Sequence, residues 1–545
     1  MKKILQKIYF PELIFSTIFA FAIFFMSKIV FLGYVYDENY MDLIFFNEFI
    51  IVLFLIPIIY FCIRALEKYY KNIIDYIILK EEFKPKIKFC VVAFIFLLII
   101  YLLYFLSFYP GGVYIDTWTS LLMLEGVEPF TNHHPVLYTL SLNIVKAFSP
   151  DLLTGFGVFT FIQILLMVGS IVYFLYWLLS KKVNSNIVTF ITIFFAIFKL
   201  YPLYSISIWK DTPFSISLFL FSLTVIDLVL DFNKKKIQKK NIIKFTIMSL
   251  LVMSLRNNGV YIVIASFLLL IITYIKDILK NKNIQNVKPF LISSVCSILI
   301  ILIVQSLYPL FGIKQTEFVE NIAIPIQQIA RVVATDGNIT ESQMELIEKV
   351  FSEENIKKHY RALIVDGLKW DSEFNEEYLE NHKFEFLKLW FELLLQNPGE
   401  YLRAYLLHTS GFWTFNVRGE EAYASPQIWE TLNDKIKNKD YILEYTNSSI
   451  KNSLLPTDYY SGGFFFWFMI ISMVITYRMS SKRYLIGYLP CFLLWITIMI
   501  ATPMGSSLRY VFGLVLILPL DFIYPIIAKN EYESDIKLNE KNNSK

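Results

Sequence analysis

An acidic, histidine-containing segment lies between strongly apolar runs of the chain: YPGGVYIDTWTSLLMLEGVEPFTNHHP, residues 109–135. It contains no lysine or arginine, and its carboxyl and imidazole groups belong to Asp116, Glu125, Glu128, His133 and His134. Placing such groups beside apolar segments has a desolvation cost, so they usually serve a ligand or a reaction. A carboxylate near imidazoles can act as a general base towards a hydroxyl group, or it can join the shell of a divalent metal ion. We therefore expect the chemistry of the protein in this segment.

Asp116 is the strongest candidate in the segment. It follows a Pro-Gly-Gly turn, and the residues after it, up to Glu125, can form a short interfacial helix that Asp116 would cap. A capping role does not explain why His133 and His134 follow in the same loop, so a role as base or metal ligand is favoured. Adjacent histidines usually point apart, so one of them is expected to face the site. Glu125 and Glu128 fit the solvated face of the short helix.

Three isolated basic residues stand at predicted helix ends on the same side as the acidic segment. They are Lys210 in WKD, Arg256 in RNNG and Arg509 in SSLRY. A basic residue at a membrane boundary can simply extend to lipid headgroups or water. Three of them in polar local sequences fit an anion site better, and phosphate suits the arginine fork and the lysine point charge. Asp211 and Asn257, which follow two of these residues, are expected to join the same binding site.

The composition identifies the class of protein. The chain has 545 residues, of which 56% are hydrophobic and 17% aromatic, and its mean hydropathy is +0.53. The apolar residues come in long uninterrupted runs, as in an all-α polytopic membrane protein that has the lipid bilayer as its solvent. The net charge of +4 carries little information, because such proteins segregate charge by side. No cysteine has CxxC spacing, so all four are expected to be packing residues: Cys62, Cys90, Cys296 and Cys491.

The hydropathy pattern predicts about twelve transmembrane helices, each near the roughly 20 residues that cross a bilayer. The predicted spans are 12–32, 45–63, 89–107, 154–179, 187–207, 213–230, 242–255, 259–275, 289–311, 461–477, 484–501 and 510–528. The apolar run 136–148 is shorter and is predicted to be a juxtamembrane or re-entrant helix.

The basic residues predict how the chain is oriented. Most lysines and arginines fall in loops that this topology assigns to the cytoplasm, whereas the short outer loops hold only four: Lys146, Lys210, Arg256 and Arg509. Such a bias predicts that both termini are cytoplasmic and that the acidic segment lies on the outer face of the cytoplasmic membrane.

Residues 312–460 interrupt the membrane pattern. Their charge density is high and net acidic, so they are predicted to form a mostly helical domain outside the cytoplasm. Thr340 and Gln343 have the spacing of a capping box. Four aromatic residues could stack on sugar rings, although a core role is commoner for aromatics: Trp390, Trp413, Tyr423 and Trp429.

The predicted organisation therefore has five parts. They are two helices with a basic loop over 1–88, a membrane module over 89–311 with its first outer loop at 108–153, the domain over 312–460, three helices over 461–528 and a disordered cytoplasmic tail over 529–545.

The order of these motifs resembles a family. The outer loop with PGG, Asp116 and HHP, followed by WKD, RNNG and SSLRY, resembles bacterial multi-pass membrane proteins with a GT-C-type glycosyltransferase fold, many of them in an uncharacterised family. The resemblance implies a seven-helix module, here helices three to nine, whose first outer loop carries the catalytic acid. It also implies an inverting transfer of a sugar from a polyprenyl phosphate to a glycan, lipid or protein of the cell envelope.

By that resemblance Asp116 is the catalytic acid, and Lys210, Arg256 and Arg509 hold the donor phosphate. Many proteins of this type have paired acids, whereas Thr117 follows Asp116 here. Whether a divalent metal such as Mg²⁺ or Mn²⁺ takes part, with Asp116 and His134 as ligands, therefore stays open.

Two other classes fit part of the pattern. A polymerase or ligase of lipid-linked glycans shares the donor chemistry and the large outer loop. A transporter or flippase of lipid-linked substrates would favour internal repeats and charges near the middle of the bilayer, and neither is evident in the sequence. No nucleic-acid partner is expected.

Overall fold

Long apolar helices build most of the molecule. The structure is a computed structural model that describes residues 10–31, 49–79, 87–148, 151–280, 284–415, 453–456 and 460–543. Within these ranges the protein is an all-α polytopic membrane protein, as its composition predicts, and its only paired strands are two residues long.

The elements before the insert form the first part of the membrane region. They are α1 (Phe10–Phe31), α2 (Phe49–Ile77), α3 (Ile87–Ser107), β1 (Gly112–Val113), α4 (Ile115–Glu125), α5 (Val136–Ser141), α6 (Asn143–Lys146), α7 (Leu152–Ser180), α8 (Ser185–Ile197), α9 (Leu200–Ile206), β2 (Ser207–Ile208), α10 (Asp211–Asn233), α11 (Lys239–Leu255), α12 (Gly259–Lys280) and α13 (Val287–Ser306).

Seven short helices make up the described part of the insert. They are α14 (Ala323–Ala334), α15 (Glu341–Glu348), α16 (Glu353–His359), α17 (Asp366–Lys369), α18 (Glu376–Asn381), α19 (Lys383–Gln396) and α20 (Pro398–His408). The predicted capping box is confirmed, because Thr340 and Gln343 bond reciprocally at the start of α15. Ile326, Ile329 and Leu393 belong to an apolar core of the insert, separate from the membrane core.

The chain then returns to long apolar helices: α21 (Gly462–Met479), α22 (Leu489–Ile500) and α23 (Phe512–Asn543). In the most apolar 18-residue stretch of the span that contains α23, 94% of the residues are buried. The corresponding fraction for α10 is 83%, so these two helices form the centre of the bundle. The helix α23 continues to Asn543, where the sequence predicts a disordered tail. Contacts of Glu531 with Lys234 and of Asp535 with Tyr484 hold this extension.

Each of the twelve predicted spans overlaps a described helix, but they differ in length. Among the described residues, nine helices are long and apolar enough to cross a membrane, or ten if α8 and α9 count as one span bent by 56°. The apolar part of α1 and the 17-residue α11 are shorter. The bend lies at Lys199, whose ammonium group donates to the carbonyls of Ser453 and Leu455 at 2.7 and 2.8 Å. The hydropathy pattern instead predicts one continuous span that includes Lys199.

The aromatic and cysteine side chains have mainly structural positions. Trp390 donates to Gln328 and packs against the core of the insert, and Trp413 is 8% exposed in the membrane core. Tyr423 and Trp429 lie outside the described residues. All four cysteines are free thiols.

Candidate functional site

A pair of two-residue strands positions the acidic segment. The strands β1 and β2 run parallel, with Gly112 paired to Ser207 and Val113 to Ile208. The Thr117 hydroxyl donates to the Ile208 carbonyl and lies 3.0 Å from the hydroxyl of Tyr138. This pairing joins the first turn of α4 to the WKD segment, which are far apart in sequence.

Asp116 lies in the first turn of α4 rather than at its cap. The helix begins at Ile115, so the interpretation of Asp116 as a capping residue is wrong. The positive end of the helix dipole favours a carboxylate in this position. Gly126, with φ of 75°, ends the helix, and Glu125 and Glu128 are exposed beyond the site, as predicted.

Two of the predicted cations contact the carboxylate. Asp116 Oδ2 lies 3.2 Å from Arg509 Nη1 and 3.8 Å from Lys210 Nζ. The Arg509 guanidinium lies between two aromatic rings, 5.1 Å from that of Trp209 and 4.9 Å from that of Tyr510. Residues from three distant parts of the sequence therefore meet in one cluster, which we call the Asp116 site.

The histidine pair borders the same cluster. Lys210 Nζ lies 2.9 Å from His134 Nδ1, and because an ammonium group only donates, Nδ1 is the acceptor and Nε2 carries the ring proton. The ring of His133 packs edge-on against that of His134, with centroids 4.7 Å apart. One histidine thus contacts the cluster directly, as expected of adjacent histidines, and the other lines its edge.

Arg256 and Asp211 form an ion pair behind the site. Arg256 Nη1 lies 2.9 Å from Asp211 Oδ1, and the Asp211 side chain has no exposed surface. Arg256 also donates to the Tyr510 carbonyl at 3.1 Å, and its guanidinium lies 5.2 Å from the Tyr510 ring. Tyr510 therefore lies between Arg256 and Arg509. In this arrangement Arg256 and Asp211 support the site rather than face Asp116.

Asn257 holds the loop that carries the histidines. Its side-chain amide donates to the Asn132 carbonyl at 2.9 Å, directly before His133. The sequence predicts a ligand-binding role for Asn257, and in the structure its amide makes this loop contact.

Burial and charge determine the protonation states. Burial alone would raise the pKa of the Asp116 carboxyl, but Arg509 and Lys210 outweigh it and hold that pKa well below its usual range. Burial, reinforced by Lys210, lowers the pKa of both His133 and His134. Burial also lowers the pKa of Lys210, against the opposing charges of Asp116 and Asp211. At neutral pH the site thus contains a carboxylate beside neutral imidazoles.

These residues do not fit a divalent metal ion. The Asp116 carboxylate is already ion-paired with cationic groups, and the Lys210 ammonium occupies His134 Nδ1, which leaves only Nε2 of that ring for a metal. Within the described ranges there is no group of three or more His, Cys, Asp or Glu residues arranged to hold a metal. The arrangement is instead that of an anion-binding site, in which the Lys210 and Arg509 side chains supply the positive charge.

Sequence reasoning missed the aromatic rings and a second charged cluster. Trp209 and Tyr510 flank the predicted cations in sequence, which is a usable signal, because arginine commonly stacks on aromatic rings. Lys369 in the insert lies 2.9 Å from both carboxylate oxygens of Glu320 and 3.4 Å from Asp366 Oδ1. No sequence pattern in the acidic insert distinguishes these three residues from its many other charged residues.

The comparisons with known proteins give a family but no activity. A model described as a family of unknown function (DUF6020) matches residues 125–537, well over half of the chain. The matched region includes His133, His134, Lys210 and Arg509, whereas Asp116 lies before it. No curated protein and no solved structure matches the chain.

Proposed function

This chain belongs to the DUF6020 family, and we propose that it is an integral membrane glycosyltransferase. It would move a sugar from a polyprenyl-phosphate donor to an acceptor of the cell envelope, at the outer surface of the cytoplasmic membrane.

The observation that carries the proposal is the contact of Asp116 with Arg509 and Lys210 at the end of the membrane helices. Counting Asp116 and Asp211 against Lys210, Arg256 and Arg509 leaves one positive charge, with the imidazoles neutral. A phosphodiester that links a lipid to a sugar carries one negative charge, so it would neutralise the site. A lipid-linked substrate also requires a site at the membrane boundary, because its chain stays in the bilayer.

The chemistry follows from these positions. Arg509 and Lys210 would hold the phosphate oxygens and stabilise the negative charge that develops on them. Asp116 would take the proton of an acceptor hydroxyl while the acceptor oxygen attacks the anomeric carbon. The bond between that carbon and the phosphate oxygen breaks, and the lipid phosphate leaves with the electron pair. Because attack and departure occur on opposite faces, the anomeric centre would be inverted.

Donor binding would also prepare the base. With Arg509 and Lys210 both ion-paired with it, Asp116 is a weak base, since a base works best when its pKa lies near the operating pH. A phosphate that shares these cations would raise the pKa of Asp116 and strengthen it as a base. His134 would be a positioning residue, since it accepts a hydrogen bond from Lys210.

The proposal includes a topology. The chain would cross the membrane about twelve times, with both termini in the cytoplasm, residues 312–460 outside, and a GT-C-like module over 89–311. The ion contacts support this arrangement, because Glu12 at the start of α1 contacts Arg478 at the end of α21 and Arg64 within α2, three residues that the basic-residue bias assigns to the cytoplasmic side. Asp116, Lys210 and Arg509 meet elsewhere, and the same bias assigns all three to the outer side.

A transfer assay tests the function. Purified protein in liposomes would receive undecaprenyl-phosphate sugars with a radiolabelled sugar, together with envelope glycans and lipids as acceptors. We expect labelled product from the wild type, and a fall of about 100- to 10,000-fold in Asp116→Asn, the range that a positioned base contributes. The control is Asp277→Asn, which removes a carboxylate that lies 2.6 Å from Arg483 in another ion pair. This variant should retain activity.

The products separate the proposal from its rivals. Products longer by one sugar support a glycosyltransferase, whereas products longer by whole preassembled glycans indicate a polymerase or ligase. Full activity of Asp116→Asn would overturn the assignment of the catalytic residue.

A further inference from the structure

A lone carboxyl group lies deep in the membrane core, far from the Asp116 site. Asp521 is 2% exposed and belongs to α23, whose span has the highest buried fraction of those described. At a rise of 1.5 Å per residue, it lies about 18 Å along the helix from the level of Arg509 and about 15 Å from that of Glu531. Asp521 is therefore near the middle of the membrane region. Hydropathy hides it, because the run 510–528 around it is strongly apolar.

No positive charge offsets this carboxyl group. In the part of the chain that the structure describes, neither side-chain oxygen of Asp521 has a hydrogen-bond partner. The titratable groups around it are the phenols of Tyr70, Tyr201 and Tyr488 and the thiol of Cys491, and none of them is a cation. An ionised carboxylate in this position would lack both water and a counter-ion, which is very costly in an apolar interior.

Asp227 shows how the same bundle accommodates an acid that has partners. This residue of α10 is also buried, but its carboxylate accepts from the Trp177 indole at 3.0 Å and from the Lys181 ammonium at 2.8 Å. The contrast indicates that Asp521 needs a positive charge that the protein itself does not supply.

Buried hydroxyl groups meet α23 at the same residue. Pro525 has no amide hydrogen, so the main-chain carbonyl of Asp521 has no donor within the helix. The Ser472 hydroxyl of α21 donates to that carbonyl instead. Ser472 Oγ lies 2.6 Å from the Tyr488 hydroxyl, which in turn lies 2.7 Å from Thr476 Oγ1. The packing of α23 on α21 at this level therefore depends on side-chain hydroxyls rather than on a complete helical hydrogen-bond pattern.

A proton fits this position better than a metal ion. Hard metal cations take several oxygen ligands at once. The hydroxyl groups of Ser472, Thr476 and Tyr488 are already bonded to one another, and none of them lies within hydrogen-bonding distance of the Asp521 carboxyl group. A proton needs only the carboxyl group itself and no additional space.

We propose that Asp521 is a proton-binding site in the middle of the membrane region. The carboxyl group carries the proton while α23 packs on α21 as described, and release of the proton requires these helices to separate enough to admit water or a cation. Acids inside membrane helices mark proton relays and proton-coupled movements. The proposed sugar transfer requires no proton at this depth, so the inference goes beyond that function and does not rest on it.

Infrared spectroscopy of the full-length protein in liposomes tests the protonation directly. A protonated carboxyl group has a carbonyl stretching band that a carboxylate lacks. At pH 7 we expect the wild type to have such a band and Asp521→Asn to lose it. Asp227→Asn is the matched control and should retain the band, because it removes a buried acid that is already paired with Lys181. Identical spectra of the wild type and Asp521→Asn would overturn the proposal.

Carbodiimide labelling gives a second measurement on the wild type, so a misfolded variant cannot mislead it. Apolar dicyclohexylcarbodiimide adds a protonated carboxyl group across a C=N bond: the O–H bond breaks, the proton goes to nitrogen, and the carboxyl oxygen bonds to carbon. Peptide mass spectrometry should find the adduct on Asp521 and not on Asp227, with or without a large excess of NaCl. Protection by sodium ions would replace the proton by a metal cation, and an adduct on Asp227 alone would contradict the site. Neither measurement depends on transferase activity.

Discussion

The buried pair of Arg256 and Asp211 shows where sequence reasoning about single residues reaches its limit. The sequence predicts a cationic site from three isolated basic residues, and two of them do contact Asp116. The third is neutralised by Asp211, which follows Lys210 directly. Sequence order places residues on one side of a membrane, but which charges pair depends on side-chain directions that only the packed helices determine.

The Arg256 pair gives the first prediction. Replacing Arg256 by Gln leaves Asp211 buried without its counter-ion, so we expect stability to fall by about 3 to 5 kcal/mol. The double replacement Arg256→Gln with Asp211→Asn should recover much of that loss, because no buried charge then remains unpaired. Thermal unfolding of the wild type, both single variants and the double variant measures the coupling. Additive losses would show that the two side chains act independently.

The buried histidines give a prediction for pH. The pKa of His134 is lowered in the folded protein by burial and by Lys210, so its neutral form stabilises the fold above the unfolded pKa of about 6.5. That contribution is lost as the pH falls below this value towards the folded pKa. The apparent melting temperature of the wild type should therefore drop more between pH 7.5 and 5 than that of His134→Asn. Parallel curves for the two proteins would contradict a neutral buried His134.

At the scale of elements, hydropathy predicts the long helices but not the short contacts that arrange the site. Uninterrupted apolar runs locate each membrane helix, since a run of that length has few other stable structures in a bilayer. The strands β1 and β2 have two residues each, too few for any alternating pattern. The bend after Ile197 and the helical tail to Asn543 depend on contacts with distant residues, so hydropathy does not predict them.

Gly505 joins the insert to the loop that carries Arg509. Its amide donates to the Leu363 carbonyl, and a β-carbon at this position would lie 1.5 Å from the carbonyl oxygen of His408. We expect Gly505→Ala to destabilise the protein by about 1 to 3 kcal/mol, as overpacking does, and to weaken phosphate binding by displacing Arg509. Thermal unfolding and lipid-phosphate binding measure the two effects.

Gly399 supplies the control for that substitution. It lies in α20, and a β-carbon added there would have no neighbouring atom within 4 Å, so Gly399→Ala should change stability by less than about 0.5 kcal/mol. Equal melting temperatures for Gly505→Ala and the wild type would contradict a tight junction between the insert and the membrane helices.

At the scale of the whole molecule, the sequence predicts an all-α membrane protein with an inserted domain, because the apolar runs stop at 312 and resume near 461. The number of crossings is harder to predict. The helix α11 has 17 residues and begins with two lysines, so its length alone does not decide whether it spans.

Cysteine labelling tests the proposed topology. In a background without the four native cysteines, Lys383→Cys in the insert should react with a membrane-impermeant maleimide on intact cells. Lys240→Cys, at the start of α11, should react only after permeabilisation. Both positions are exposed, so access to the reagent decides the result. If Lys240→Cys reacted on intact cells and Lys383→Cys only after permeabilisation, the topology would be the opposite of the proposed one, with the Asp116 site on the cytoplasmic side.

The most direct measurement of the central claim is the affinity of the Asp116 site for a lipid phosphate. Native mass spectrometry would compare undecaprenyl phosphate with undecaprenol, which lacks the phosphate. Arg483→Lys is the matched control, because Arg483 also pairs with an acid, Asp277 at 2.6 Å, and lies 5.0 Å from a tyrosine ring. We predict that the wild type and this control prefer the phosphate, and that Lys210→Gln and Arg509→Lys each bind it about tenfold more weakly. Equal binding of both lipids, or unchanged binding in these two variants, would contradict the account.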